Sequence, residues 1–269
     1  MPPFRFGVVA VPQPDTWLDQ ARRIADLGYS SLLMPDGVAL PSPFPSLAMA
    51  AAVTDLTVGT FVLAAPLRPP RSAAWEAHTM TQLTGGRFEF GIGTGLPRTR
   101  EAAESFGLPF RTTAERLADV ELAVTHLREL DGDTRTPVLV AARGPKARAL
   151  AARLADVVTL AAPALTPRTE VAAMVADLRG RADGRDLELS INLFAVGDGE
   201  LPPWAAQNLG ATVDELVAAD SLMLLPGADP RAMADELLRR RDALGISYVK
   251  VNSLYLEEMA PVVELLAGR

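Results

Sequence analysis

The stretch TQLTGGRFEFGIGTG, Thr81 to Gly95, holds five glycines in fifteen residues around an apolar core, FEFGI. A dinucleotide-binding fold would need G-x-G-x-x-G leaving a strand and running straight into a helix. Gly91 and Gly93 begin that spacing, but Leu96 stands at the third glycine position and Pro97 follows. The next helical pattern begins only near Thr112. Gly85 and Gly86 instead end the preceding helix and turn the chain, and Gly91, Gly93 and Gly95 lie at a strand's exit. In a barrel, glycines at a strand's end leave room at the mouth for a bulky planar ligand.

Outward from this strand the same unit recurs. Apolar, β-branched runs, read as buried parallel strands, fall at 4–11, 29–35, 56–64, 87–93, 136–142, 156–162, 187–196 and 246–252. Amphipathic helical patterns follow them, from Asp15 to Gly28 and then at 45–53, 71–83, 112–130, 145–155, 166–182, 228–245 and 255–267. Thr112 or Thr113 is the expected cap of the fourth, and Thr166 with Pro167 the start of the sixth. Alternating strands and helices imply parallel pairing with right-handed crossovers. Eight such units predict an α/β fold, a (β/α)8 TIM-type barrel, as one domain over 1–269. The irregular segment 198–227 reads as an elaborated loop that covers the site.

Composition narrows the function. The net charge of −7, with no basic stripe, argues against nucleic acid as a partner. The absence of cysteine removes disulfides, thiolate nucleophiles and Cys-ligated metals. The start of the chain lacks a long apolar segment, and no run approaches a membrane span. A cytoplasmic enzyme acting on a small molecule, with no membrane partner, is the expectation. Only two histidines occur, His78 and His126, inside separate helical patterns, so no metal site is expected.

Several residues are candidates for chemistry. Asp36 ends the second strand, as a base, a substrate-orienting group or the cap of the next loop. His78, with Trp75 and Glu76, lies on the third helix, as a catalytic or a structural residue. In ISYVKVN the alternation places Tyr248, Lys250 and Asn252 on one face. If the valines pack on helices, Lys250 points into the barrel, where desolvation would suit it to be a base or a Schiff-base amine. The alternatives are an ion pair with an inward carboxylate or a snorkelling stem. Asn192 and Asn252 offer amides at the mouth, and Arg68 and Arg98 could hold an anionic substrate or cofactor tail.

Taken in order, FRFGV, LGYSSLLMPD (27–36), LTVGTFVLAAPLRPP (56–70), QLTGGRFEFGIGTG (82–95), GPKARALAARLADVV (144–158) and LGISYVKV (244–251) resemble the luciferase-like flavin- or coenzyme F420-dependent oxidoreductases, in particular the shorter F420-type members. The resemblance spans essentially the whole chain. It implies F420, or alternatively FMN, at the C-terminal mouth, with a third-strand bulge, often with a non-prolyl cis peptide, supporting the ring at Thr60, Phe61 and Val62. It places Thr94 beside the cofactor and the cofactor phosphate at Ala142, Arg143, Gly144 and Pro145. The start of a helix, with Arg143 and Lys146 adding charge, is an anion site on physical grounds, although every barrel repeats such a turn. It also implies a homodimer through early helices.

Four departures stand out, one of them a phosphate loop, Ala141-Ala142-Arg143-Gly144, poorer in glycine than is usual, where the Arg side chain could bind phosphate or fill its place. Gly37 follows Asp36 where many F420-dependent members carry a histidine. Leu96 stands where several carry a glutamate. Only DGDTRT (131–136) fills the usual place of a roofing hairpin. The expected activity is hydride transfer to or from a small organic substrate, in secondary-metabolite biosynthesis. The alternative is a member that has lost the cofactor and acts as an isomerase, cyclase or lyase, or as a non-catalytic partner.

Overall fold

In the computed structural model, which describes residues 2–269, eight parallel strands close into a barrel. They are β1 (Arg5–Val9), β2 (Ser31–Met34), β3 (Thr57–Thr60), β4 (Phe88–Gly93), β5 (Val138–Ala142), β6 (Val157–Leu160), β7 (Glu188–Leu193) and β8 (Ile246–Asn252). The order is β3-β2-β1-β8-β7-β6-β5-β4, and pairing of Val58 with Phe88 and Gly59 with Glu89 closes the ring. Each strand is an apolar run because its outer face packs on helices. Phe6, Val8, Leu32, Phe88, Phe90, Val158 and Val249 all join the large outer core.

The helices are α1 (Trp17–Asp26), α2 (Pro43–Val53), α3 (Pro70–Leu83), α4 (Thr99–Ser105), α5 (Thr113–Asp131), α6 (Pro145–Leu154), α7 (Arg168–Ala182), α8 (Pro203–Leu209), α9 (Val213–Ala218), α10 (Pro230–Leu244) and α11 (Leu256–Leu266). Thr112 caps α5 in a capping box with Glu115, as its sequence suggests. Pro167 rather than Thr166 is the cap of α7. Gly85 and Gly86 take φ of 62° and 88°, the left-handed turn that ends α3.

Two expectations need correction. The helix α4 begins soon after the glycines of β4, at Thr99, rather than near Thr112. It is a short segment, TREAAES, too brief for its periodicity to stand out. The second correction concerns what those glycines accommodate. From Val58 to Leu63 the chain advances five residues, while β4 advances four, from Phe88 to Ile92. The extra residue is a bulge, and it carries a cis peptide between Phe61 and Val62. A Cβ on Gly91 would overlap the Thr60 carbonyl, and one on Gly93 would meet Val62 at 3.0 Å. These glycines make room for the neighbouring backbone, and only through it for anything lying on the bulge. Thr60 Oγ1 locks the arrangement by donating to Gly91 O at 2.6 Å.

The segment 198–227 folds over the mouth as α8, α9 and a short parallel pair, Leu224–Leu225 with Ala195–Val196. It has its own apolar cluster, Ala164, Ala195, Ala211, Leu216 and Leu224. Buried Arg240 of α10 holds it from below, donating to Leu222 O at 3.1 Å and Leu224 O at 2.7 Å.

Candidate functional site

The barrel interior has a polar floor. Arg5 Nε donates to Glu188 Oε2 at 2.8 Å, and its Nη2 to Glu89 Oε2 at 2.8 Å. The Tyr248 ring lies 3.7 Å from the Arg5 guanidinium carbon, and its hydroxyl is 2.6 Å from Ser31 Oγ. Gly7 on β1 makes space for this ring, since a Cβ there would meet Ser31 Oγ and the Tyr248 hydroxyl. Above it lies Lys250, fully buried. Its Nζ donates to Ser190 Oγ at 2.6 Å and Thr159 Oγ1 at 3.1 Å, and sits 4.7 Å from the centre of the Phe61 ring. The inward direction expected from ISYVKVN is what the structure has, and the partners are hydroxyls rather than a carboxylate. Burial above all, with Arg5 adding to it and Glu89 and Glu188 opposing, brings the Lys250 pKa from 10.5 down to about 7.

Over this layer opens a cavity of about 250 Å³ at the C-terminal ends of the strands, where barrel sites lie. Phe61 and Val62 of the bulge form part of its wall, Thr159 and Asn192 give it polar atoms, and Ser221–Met223 of the covering segment close it. The remaining lining is largely apolar. Asn192 Oδ1 is buried without a hydrogen-bond partner. The segment after the seventh strand thus covers this cavity. Ala141 also lines the cavity, and β5 runs on from it to Ala142, Arg143, Gly144 and Pro145. Arg143 and Lys146 are exposed beside the start of α6, and nothing would lie within 4 Å of a Cβ on Gly144.

Other candidates are engaged elsewhere. Asp36 accepts from Ala64 N at 3.0 Å and from Arg68 Nη1 at 2.7 Å. The pair clamps the exit of the bulge, and Arg68 Nε lies 3.5 Å from Glu76 Oε2 as well. The Thr94 carbonyl is held by Arg116 Nε at 2.9 Å. Arg98 donates to Asn208 of α8 at 2.8 Å and so ties the cover to the loop after β4. Asn252 Oδ1 accepts from Leu254 N at 2.9 Å, capping the turn beyond β8. His78 needs correction as a catalytic candidate. Its Nδ1 is 2.9 Å from Asp131 Oδ1, and Asp131 Oδ2 accepts from Thr136 N, just before β5 begins. That is the end of the barrel opposite the mouth, as the place of His78 in the second half of α3 requires.

Sequence reasoning missed Thr159 and Ser190. Both sit at inward positions of strands, and a hydroxyl there signals nothing until Lys250 is seen to end on it.

The cavity and its surroundings fit a planar ring with a phosphate tail. The bulge gives an apolar wall, Asn192 Oδ1 an unpaired acceptor, and the start of α6, with its free N–H groups, lies three residues beyond a lining residue. The fold is shared with F420-dependent tetrahydromethanopterin reductase from Methanopyrus kandleri, at a TM-score of 0.72 and 17% identity over 97% of this chain and 96% of that one. It is shared equally with an F420-dependent secondary alcohol dehydrogenase solved with an F420-acetone adduct, at a TM-score of 0.73 and 17% identity, covering 97% and 99%. A long-chain alkane monooxygenase gives 0.72 and 14%, covering 98% and 92%. Such identities speak to the fold alone. An uncharacterized protein of Mycobacterium tuberculosis is 29% identical over 38% of this chain and 43% of its own length, so the match spans less than half of that relative. The family profile for luciferase-like monooxygenases matches residues 3–198. With that match spanning most of the chain, over a closed barrel with its cavity at the mouth, the protein is a member of the luciferase-like monooxygenase family.

Proposed function

We propose that the protein is an oxidoreductase that passes hydride between coenzyme F420, or alternatively FMN, and a small organic substrate. The observation that carries this reading is the apolar cavity at the mouth, walled by the Phe61–Val62 bulge and facing the unpaired Asn192 acceptor. When bound, such a ring supplies an atom that takes up or releases hydride. The chain's part is to hold and screen it. Phe61 and Val62 support one face, and Asn192 Oδ1 accepts from a ring N–H. The free N–H groups of Lys146 and Ala147 at the start of α6, with Arg143 beside them, hold the phosphate. Ser221, Leu222 and Met223 keep water from the reacting atoms. The lining is mostly apolar, which suits a compact, weakly polar substrate, as in secondary metabolism. A second copy of the chain is the expected partner, seated on α3, where Trp75 is 66% exposed and Leu83 is 74% exposed.

Titration of the purified protein with F420 and with FMN, followed by quenching of cofactor fluorescence, tests the reading. Saturable micromolar binding of either, weakened about tenfold in Arg143→Ala, supports it. A folded protein that binds neither overturns it and leaves an isomerase, cyclase, lyase or non-catalytic partner. Sedimentation of Trp75→Glu against the parent chain tests the dimer.

A further inference from the structure

The cavity has no acid of its own. Among the described residues, its lining carries no ionisable side chain. Asp36 is occupied by Arg68. Two ionisable side chains hydrogen-bond to lining residues from outside. One is Arg240, which donates to Leu222 O and keeps its proton at any working pH. The other is Lys250, which lies beneath Thr159.

The hydroxyls around Lys250 form a short chain. As an ammonium it donates to both Ser190 Oγ and Thr159 Oγ1. The Ser190 hydroxyl lies 3.2 Å from Val158 O, an acceptor that can take its proton, and 2.8 Å from Thr159 Oγ1. With Ser190 so engaged, Thr159 is the only member of the chain that faces the cavity, and its proton turns to any acceptor seated there. Lys250 itself does not line the cavity, so it meets a ligand only through Thr159.

We propose that Lys250 is the proton reservoir of the cavity, supplying through the Thr159 hydroxyl the proton that a ligand carbonyl oxygen needs when its carbon gains a hydride. This rests on the redox reading above, whose reduced cofactor is the hydride donor. The hydride brings both electrons of the new C–H bond. The carbonyl π pair moves to oxygen and forms an O–H bond with the Thr159 proton. Thr159 Oγ1 takes a proton from Nζ, and the pair of the broken N–H bond stays on nitrogen as the lone pair of a neutral amine. Solvent restores the proton before the next turnover.

The surroundings of Lys250 suit the role. Facing it are Arg5 of β1, Glu89 of β4, Glu188 of β7 and Tyr248 of β8. Arg5 is already paired with both carboxylates, so no carboxylate is committed to the ammonium. With a pKa of about 7, the group can both hold and release a proton near neutrality.

The chain contains only two lysines, Lys146 and Lys250, so protein labelled at the lysine ε-carbon gives two resonances. Their pH titrations are followed with and without butyrate, a small carboxylate that mimics the oxyanion. Lys250 is expected to titrate near neutrality. Butyrate should raise the Lys250 midpoint by about one unit, since a nearby anion favours the ammonium. Thr159→Val should abolish that shift and Thr159→Ser restore it. The neutral isostere 2-pentanone should leave the midpoint in place. An ordinary lysine titration, no butyrate response at tens of millimolar, or a full response in Thr159→Val overturns the proposal. Because no cofactor is present, the outcome is independent of F420 or FMN binding, so failure of the redox reading is seen separately.

Discussion

Lys250→Met separates the cost of the buried ammonium from the rest of the fold. The ammonium is fully buried against two hydroxyls, and burial lowers its pKa from 10.5 to about 7. Unfolding restores the ordinary value. Between these limits the unfolded chain binds a proton that the native state lacks, so stability rises with pH. The slope approaches about 1.4 kcal/mol per pH unit, which gives about 2.5 kcal/mol between pH 7.5 and 9.5. Below pH 7 both states are protonated and the native state bears the whole cost. Methionine keeps the stem's packing and removes the titration, and Ser190 and Thr159 still bond to each other. The variant should therefore be more stable than the parent at pH 6, and its advantage should shrink by about 2.5 kcal/mol from pH 7.5 to 9.5. Tyr29 and Tyr248, both held above the ordinary tyrosine value by burial, act with the opposite sign at higher pH. They are common to both proteins and cancel in the difference. Urea unfolding of both at fixed pH values gives the comparison. Parallel curves across the window would refute the reasoning, because they would mean that the lysine titrates alike in the folded and unfolded chains.

Two further perturbations probe the bulge. Gly91→Ala places a methyl group on the Thr60 carbonyl, which no rotamer change can relieve, and should cost about 3 kcal/mol in urea unfolding. A loss below about 0.5 kcal/mol would mean that the bulge is free to move. Asp36→Asn leaves Arg68, whose side chain is 18% exposed, with only the more distant Glu76, at 3.5 Å, as a charge partner. It should cost about 2 kcal/mol, less than a fully buried pair. Unchanged stability would return Asp36 to the list of groups available to substrate.

The barrel was legible because periodicity carries across a whole chain. Each of the eight inferred strands contains an observed one, and the longer helices match within a few residues. The short α4, α8 and α9 were not, since six or seven residues hold too few turns to show a face. At the site, the alternation in ISYVKVN fixed the direction of Lys250, and a polar residue late in β7 marked Asn192. Side chains spent on one another were hidden. Nothing local in PDG or PLRPP says that Asp36 and Arg68 meet across 32 residues, or that His78 ends on Asp131. The glycines of β4 were recognised as spacers, but their neighbour is Thr60 on the adjacent strand, and pairing register is a property of two segments together.

The segment over the mouth has an apolar cluster around Leu216 and Leu224, sends Leu222 and Leu225 into the large core, and is fastened by Arg98 to Asn208, Arg168 to Asp220, Ser221 to Ala164, and Arg240 to two carbonyls. Its inner edge meets the cavity at Met223 while Ser221 and the Leu222 carbonyl are gripped from outside, so exchange of the half-buried Met223 side chain is expected to resize the cavity with those anchors left in place.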